Sequence, residues 1–262
     1  MEKEKQSQNQ ENPEHYKMSF TEHLEELRAR LVKVLIAVGV GFIISYFFSK
    51  QLFYYLTLPL LNVLPKNNTL IFTALPEAFF TYLKISFFAG IFLASPYIFY
   101  QIWKFISPGL YPEEKRYVVP FVIVSSIFFV AGVSFGYFVV FPFGFKFFIS
   151  FQNDYIKALP TLKQYLGFSM KLLFAFGIIF EMPVIMYFLA KIKVVNSKLL
   201  TKNRKYTILI IFVVAAILTP PDVFTQILMA CPLIVLYEIS ILVVKYVEKR
   251  RKSKENSLSK VD

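Results

Sequence analysis

Leu166 to Leu189 reads LGFSMKLLFAFGIIFEMPVIMYFL, and its length and composition decide the fold. As an α-helix rising 1.5 Å per residue it reaches about 36 Å, enough to cross a bilayer core of about 30 Å. Apolar side chains follow one another without the alternation of a barrel strand, so the stretch reads as a membrane-spanning helix. Five further segments share this character: Leu31 to Phe48, Ala78 to Tyr100, Tyr117 to Phe141, Tyr206 to Leu218 and Val223 to Val244. Tyr206 to Leu218 is the shortest, reaching about 20 Å before Thr219-Pro220-Pro221 stops it. The expected fold is an all-α integral membrane protein with six transmembrane helices.

Composition supports this and narrows the chemistry. Of 262 residues, 56% are hydrophobic and 18% aromatic, more apolar surface than one soluble core of this size hides. Cys231 is the single cysteine, and both histidines, His15 and His23, lie in the polar N-terminal arm. No disulfide framework, metal cluster or cofactor site is expected from such a set. Neither an HExxH sequence nor a GxSxG elbow is present, which argues against an intramembrane enzyme.

The net charge of +12 does not point to nucleic acid, because Lys and Arg gather in the connections between apolar segments. Counted over alternate connections, 21 fall on one side and 5 on the other, while Lys33, Lys84 and Lys171 lie within segments. The positive-inside rule then places both the N-terminus and the C-terminus in the cytoplasm. Residues 1–18 read as a flexible arm without a cleavable signal peptide, 19–246 as the six-helix domain, and 247–262 as a basic, mobile tail.

Polar groups inside apolar segments carry the functional information, since a carboxylate at mid-membrane costs on the order of 2.5 to 3.5 kcal/mol to insert. Glu181 is such a residue. Its use stays open between a hydrogen bond within the chain, a proton or ion site, and a docking point for another subunit's helix. Lys84 and Lys171 lie near segment ends and can snorkel. Pro96, Pro120, Pro183 and Pro232 interrupt their helices.

Two acidic features stand out on the basic side. Thr21-Glu22-His23-Leu24-Glu25-Glu26 reads as a helix entering the membrane, with Thr21 or Ser19 as cap. Pro112-Glu113-Glu114 fits an ordinary helix start, and two separated carboxylates on this side also suit guanidinium groups, which they bind bidentately. On the opposite side Asp222 reads as the cap of the last helix, with Gln226 one turn on as a partner contact.

Six motifs follow one another along the chain: His23-Leu24-Glu25-Glu26-Leu27-Arg28, Ser95-Pro96-Tyr97-Ile98-Phe99-Tyr100-Gln101-Ile102-Trp103-Lys104-Phe105 with Pro108-Gly109-Leu110, and Glu113-Glu114-Lys115-Arg116, then Tyr137-Phe138-Val139-Val140-Phe141-Pro142, Phe180-Glu181-Met182-Pro183 and Leu218-Thr219-Pro220-Pro221-Asp222. Together, and in this order, they resemble the TatC family, the C subunit of the twin-arginine translocase.

The resemblance implies a cupped, concave bundle that is the core subunit of this translocase. In it Glu26 and Glu114 receive the paired arginines of a folded cargo's signal peptide, with Leu27, Arg28, Phe105 and Arg116 shaping the same face. Glu181, Pro183 and Gln226 meet TatA-type and TatB-type single-span partners in an oligomeric complex, driven by the proton-motive force. Pro59 falls in the first outer loop, Pro96 and Tyr137 are structural, and Asp222 lies near the outer end of the last two helices. A position that is frequently acidic in the second outer loop is Thr161 here.

A bacterial inner membrane is implied, with a plastid thylakoid membrane as the alternative. A half-buried Glu181 would accept a hydrogen bond from a partner helix, and the short fifth segment predicts local bilayer thinning. The competing function is a proton-coupled secondary transporter of a small solute built on Glu181. It would call for an internal repeat, and inspection finds none.

Overall fold

The computed structural model describes residues 20–65, 69–106, 118–153, 155–220 and 222–258. Its helices are α1 (Phe20–Phe47), α2 (Ser49–Leu61), α3 (Glu77–Ile106), α4 (Val118–Phe135), α5 (Phe141–Ile149) and α6 (Leu162–Phe180), then α7 (Met182–Lys191), α8 (Ser197–Lys202), α9 (Arg204–Leu218) and α10 (Val223–Leu258). Among the described residues the β pairing is one parallel bridge between Ile71 and Thr161.

Four stretches are long and apolar enough to cross a membrane: Glu77–Ile106, Val118–Ile149, Leu162–Lys191 and Val223–Ser253. Each is longer than the segment read from hydropathy: three gain polar end turns past their apolar centre, and Val118–Ile149 runs on through the aromatic α5. Val118–Ile149 stays continuous through a π-helical turn at Gly136–Val140, where the Phe141 N–H reaches back to the Gly136 carbonyl. Pro142, with no N–H to offer one turn back, accounts for the shifted register.

The other two expected segments differ in kind. α1 bends by 82° into α2, and the pair together is a fifth candidate span. α9 has 15 residues, about 22 Å, short of the roughly 20 residues an upright crossing needs.

Two expectations are corrected. Pro59 lies inside α2 and is buried, not in a loop. Hydropathy could not distinguish a short helix turned off the axis of α1 from an irregular connection. Residues 247–258, read as part of a mobile tail, continue α10. Glu248 on that extension accepts from the Ser197 N–H at 3.0 Å and from the Ser197 hydroxyl, which pins it to the start of α8. The N-terminal arm 1–18 lies outside the described residues.

α1 packs antiparallel along α3, with Gly41 against Gly90. A Cβ on Gly90 would stand 2.5 Å from the Phe42 nitrogen, so only glycine permits this approach. α4 meets α6 in the same way, where a Cβ on Gly132 would stand 2.4 Å from the Phe176 carbonyl oxygen. The main core gathers fully buried Phe141, Phe176, Leu172, Met229, Leu233 and Val244 from the π-turn side, α6 and α10.

Candidate functional site

Antiparallel packing brings the first turns of α1 against the last turns of α3. Glu26 and Arg30, one turn apart on α1, form an ion pair in which Arg30 Nε donates to Glu26 Oε1 at 2.9 Å. Arg30 Nη1 donates on to Gln101 Oε1 of α3 at 3.2 Å. Both charged side chains are largely withdrawn from solvent, at 14% and 17% exposure for Arg30 and Glu26. Glu26 Oε2 is buried without a hydrogen-bond partner.

One turn earlier, His23 stacks on Phe105 at 4.4 Å between ring centroids. The structure thus joins Phe105 to Glu26 at one corner, while Leu27 (44% exposed) and Arg28 lie on the open surface of α1. Glu114 and Arg116 lie outside the described residues. Arg30, Gln101 and His23 are the members sequence reading did not assign. The i,i+4 spacing of Glu26 and Arg30 could have signalled the first.

Glu181 occupies the break between α6 and α7, two residues before Pro183, and its carbonyl accepts from the Ile185 N–H at 2.9 Å. Its side chain is 6% exposed, so it is buried and not half-buried as expected. The break turns it toward α4, where Ser125 lies within interaction distance of its carboxylate. Ser125 Oγ in turn accepts from Trp103 Nε1 of α3 at 3.3 Å. An indole N–H only donates, which leaves the serine proton for Glu181.

Glu181 Oε1 has no partner. Trp103 is held by stacking on Phe121 at 4.5 Å. This relay across three helices has no local sequence signal. Beside it an apolar groove of about 300 Å³ opens between α4, α7 and α10, lined by Pro120, Phe121, Phe128 and Pro183.

The remaining predicted residues sit in structural roles. Tyr137, in the π-turn, donates its hydroxyl to the Tyr55 carbonyl of α2. Pro96 is inside α3, and the Ser95 hydroxyl donates at 2.8 Å to the Phe92 carbonyl that Pro96 cannot serve. Asp222 Oδ1 accepts from the Thr225 N–H at 2.7 Å in the first turn of α10. Gln226 Nε2 donates to the Phe212 carbonyl of α9 at 3.1 Å, so that amide is engaged within the chain.

Thr161 caps α6, accepting from the Gln164 N–H at 3.3 Å. A carboxylate is present at this helix start after all, supplied by Glu77 of α3, which the sequence did not single out. Its Oε1 accepts from the Lys163 N–H at 2.7 Å. Among the described residues no three potential metal ligands cluster.

The family model described as Sec-independent protein translocase protein (TatC) matches residues 22–232. The chain belongs to the TatC family. A TatC protein of Desulforapulum autotrophicum is 55% identical over 242 residues, covering 92% of this chain and 90% of that one. One from Magnetococcus marinus is 48% identical over 239 residues, covering 91% and 88%. A crystal structure of a twin arginine translocase receptor, TatC, superimposes with a TM-score of 0.78 at 42% identity, covering 86% of this chain and 99% of that one. Membership of the TatC family makes the chain a multi-pass membrane protein of the protein-transport machinery and not an enzyme.

Proposed function

We propose that the chain is the receptor and scaffold subunit of a twin-arginine translocase, binding paired-arginine signal peptides at the Glu26–Phe105 corner. The observation that carries this reading is the unpartnered, buried Oε2 of Glu26. One oxygen of that carboxylate already holds the guanidinium of Arg30, so the site accepts this chemistry, and the second oxygen lacks a donor. Exposed Leu24 and Leu27 beside it offer apolar surface for the hydrophobic segment that signal peptides carry. Glu114, with Arg116, is assigned to the same face.

In this reading the chain crosses a bacterial inner membrane six times, with both ends in the cytoplasm. The bent α1–α2 pair and the short α9 are the remaining two crossings, and the bilayer thins at α9. Single-span TatA-type and TatB-type helices dock along the groove at Pro183 and reach Glu181, and transport draws on the proton-motive force.

The test is crosslinking of a paired-arginine signal peptide to the full-length protein in membranes. Crosslinks are expected to disappear with Glu26→Ala, with Glu114→Ala, and with a Lys-Lys peptide against the wild-type protein. Undiminished crosslinking to the double Glu26→Ala, Glu114→Ala variant would overturn the assignment.

A further inference from the structure

At the end of the molecule opposite Glu26, α3 and α6 begin side by side. The Ile71–Thr161 bridge and the Glu77–Lys163 hydrogen bond hold the two starts together. Below them lies a groove of about 580 Å³ whose lining includes Glu77, Lys84, Lys163 and Lys171 over apolar walls of Phe88 and Met170. Lys163 stands at the mouth, the second residue of α6. Lys84 and Lys171 come seven and nine residues after their helix starts, about 10 and 14 Å deeper at 1.5 Å per residue.

Among the described residues Glu77 is the one acidic group in this lining, and its carboxylate is already saturated. Oε2 accepts from the Thr73 N–H at 2.8 Å, the Thr73 hydroxyl at 3.2 Å and the Ala74 N–H at 3.3 Å, and Oε1 from the Lys163 N–H at 2.7 Å. Among the described residues the ion pairs are Arg30–Glu26 and Arg204–Glu238, so none of the three ammonium groups has a carboxylate partner. Three lysines on one groove of a membrane-embedded surface repel one another and are costly to hold there without a counter-charge.

We propose that this groove binds the phosphodiester headgroup of an anionic phospholipid, drawn in between Lys84, Lys163 and Lys171. The headgroup supplies the missing negative charge, and the apolar walls below it take the upper part of an acyl chain. A zwitterionic lipid fits less well, because its own ammonium would be brought among three others. The site lies at the far end of α3 from the Glu26 corner and does not depend on signal-peptide binding.

The experiment is native mass spectrometry of the delipidated full-length protein, titrated with phosphatidylglycerol and with phosphatidylethanolamine of matched acyl chains. The wild type is expected to retain phosphatidylglycerol in preference. Each Lys→Gln change at 84, 163 or 171 is expected to weaken retention about fivefold, the equivalent of about 1 kcal/mol per cation. The triple Lys→Arg variant keeps it.

Equal retention of both lipids by the wild type, or undiminished phosphatidylglycerol binding by the triple Lys→Gln variant, overturns the proposal. Should the triple variant fail to fold by circular dichroism, the single Lys84→Gln and Lys171→Gln variants decide by the same criterion. Displacement of the lipid effect by a synthetic acidic transmembrane peptide, with no lipid selectivity, would assign the groove to a partner helix instead.

Discussion

Tyr137 donates its hydroxyl to the Tyr55 carbonyl, the acceptor that Pro59, four residues further along α2, cannot serve for want of an N–H. One residue on, the Tyr165 hydroxyl donates to the Leu56 carbonyl at 2.6 Å. Two tyrosines from the helices behind thus satisfy the backbone that the proline disturbs and fix α2 at its 82° angle to α1.

Tyr137→Phe is therefore expected to destabilise the protein by about 1 kcal/mol, the usual net worth of such a bond. Pro59→Ala restores an N–H to the Tyr55 carbonyl, so the same tyrosine change should matter less in that background. Thermal unfolding of the four proteins of the cycle in one detergent measures the coupling, and strict additivity would refute the link.

Gly90→Val should prevent α1 from seating on α3, since even a Cβ would meet Phe42 backbone atoms at 2.5 to 2.8 Å. Neither contact is the end of a flexible side chain, so the helices must separate. Gly39→Ala, where nothing lies within 4 Å, is the matched control and is expected to be neutral or slightly stabilising. Expression level and unfolding temperature in detergent separate the two.

At the signal-peptide corner the sign of the Arg30 effect follows from its bond to Glu26. Arg30 occupies Oε1 as an internal guanidinium, in competition with any incoming one. Arg30→Gln is thus expected to raise crosslinking of a paired-arginine peptide severalfold while Glu26→Gln lowers it, and a parallel loss in both would show that the ion pair organises the site.

How far the sequence foretold these sites follows from the range of each interaction. Runs of apolar residues mark long helices wherever they occur, so α3, α4, α6 and α10 were legible, and so was the brevity of α9. The course of α2 was not, because its angle is set by Tyr137 and Tyr165, which lie 82 and 109 residues from their acceptors. Glu77 looked like any acidic residue at a helix start. Its bond to Lys163 spans 86 residues. Glu181 announced itself by its insertion cost, but its burial against Ser125 and Trp103 depends on how three helices meet.

That arrangement gives the last prediction its controls. Glu181→Leu removes the carboxylate that Ser125 faces and leaves the serine and Trp103 pair without a polar end, which is expected to cost about 1 to 3 kcal/mol. Glu181→Gln keeps a carbonyl oxygen at the same place, so partner helices should still copurify with it in mild detergent and should be lost with Glu181→Leu. Ser125→Ala disturbs the relay but leaves both carboxylate oxygens. If Ser125→Ala sheds single-span partners as fully as Glu181→Leu does, the carboxylate holds the helices of its own chain together and docks nothing. If only Glu181→Leu sheds them while all three variants elute as folded protein, the unpartnered Oε1 is the group that the partner helix reaches.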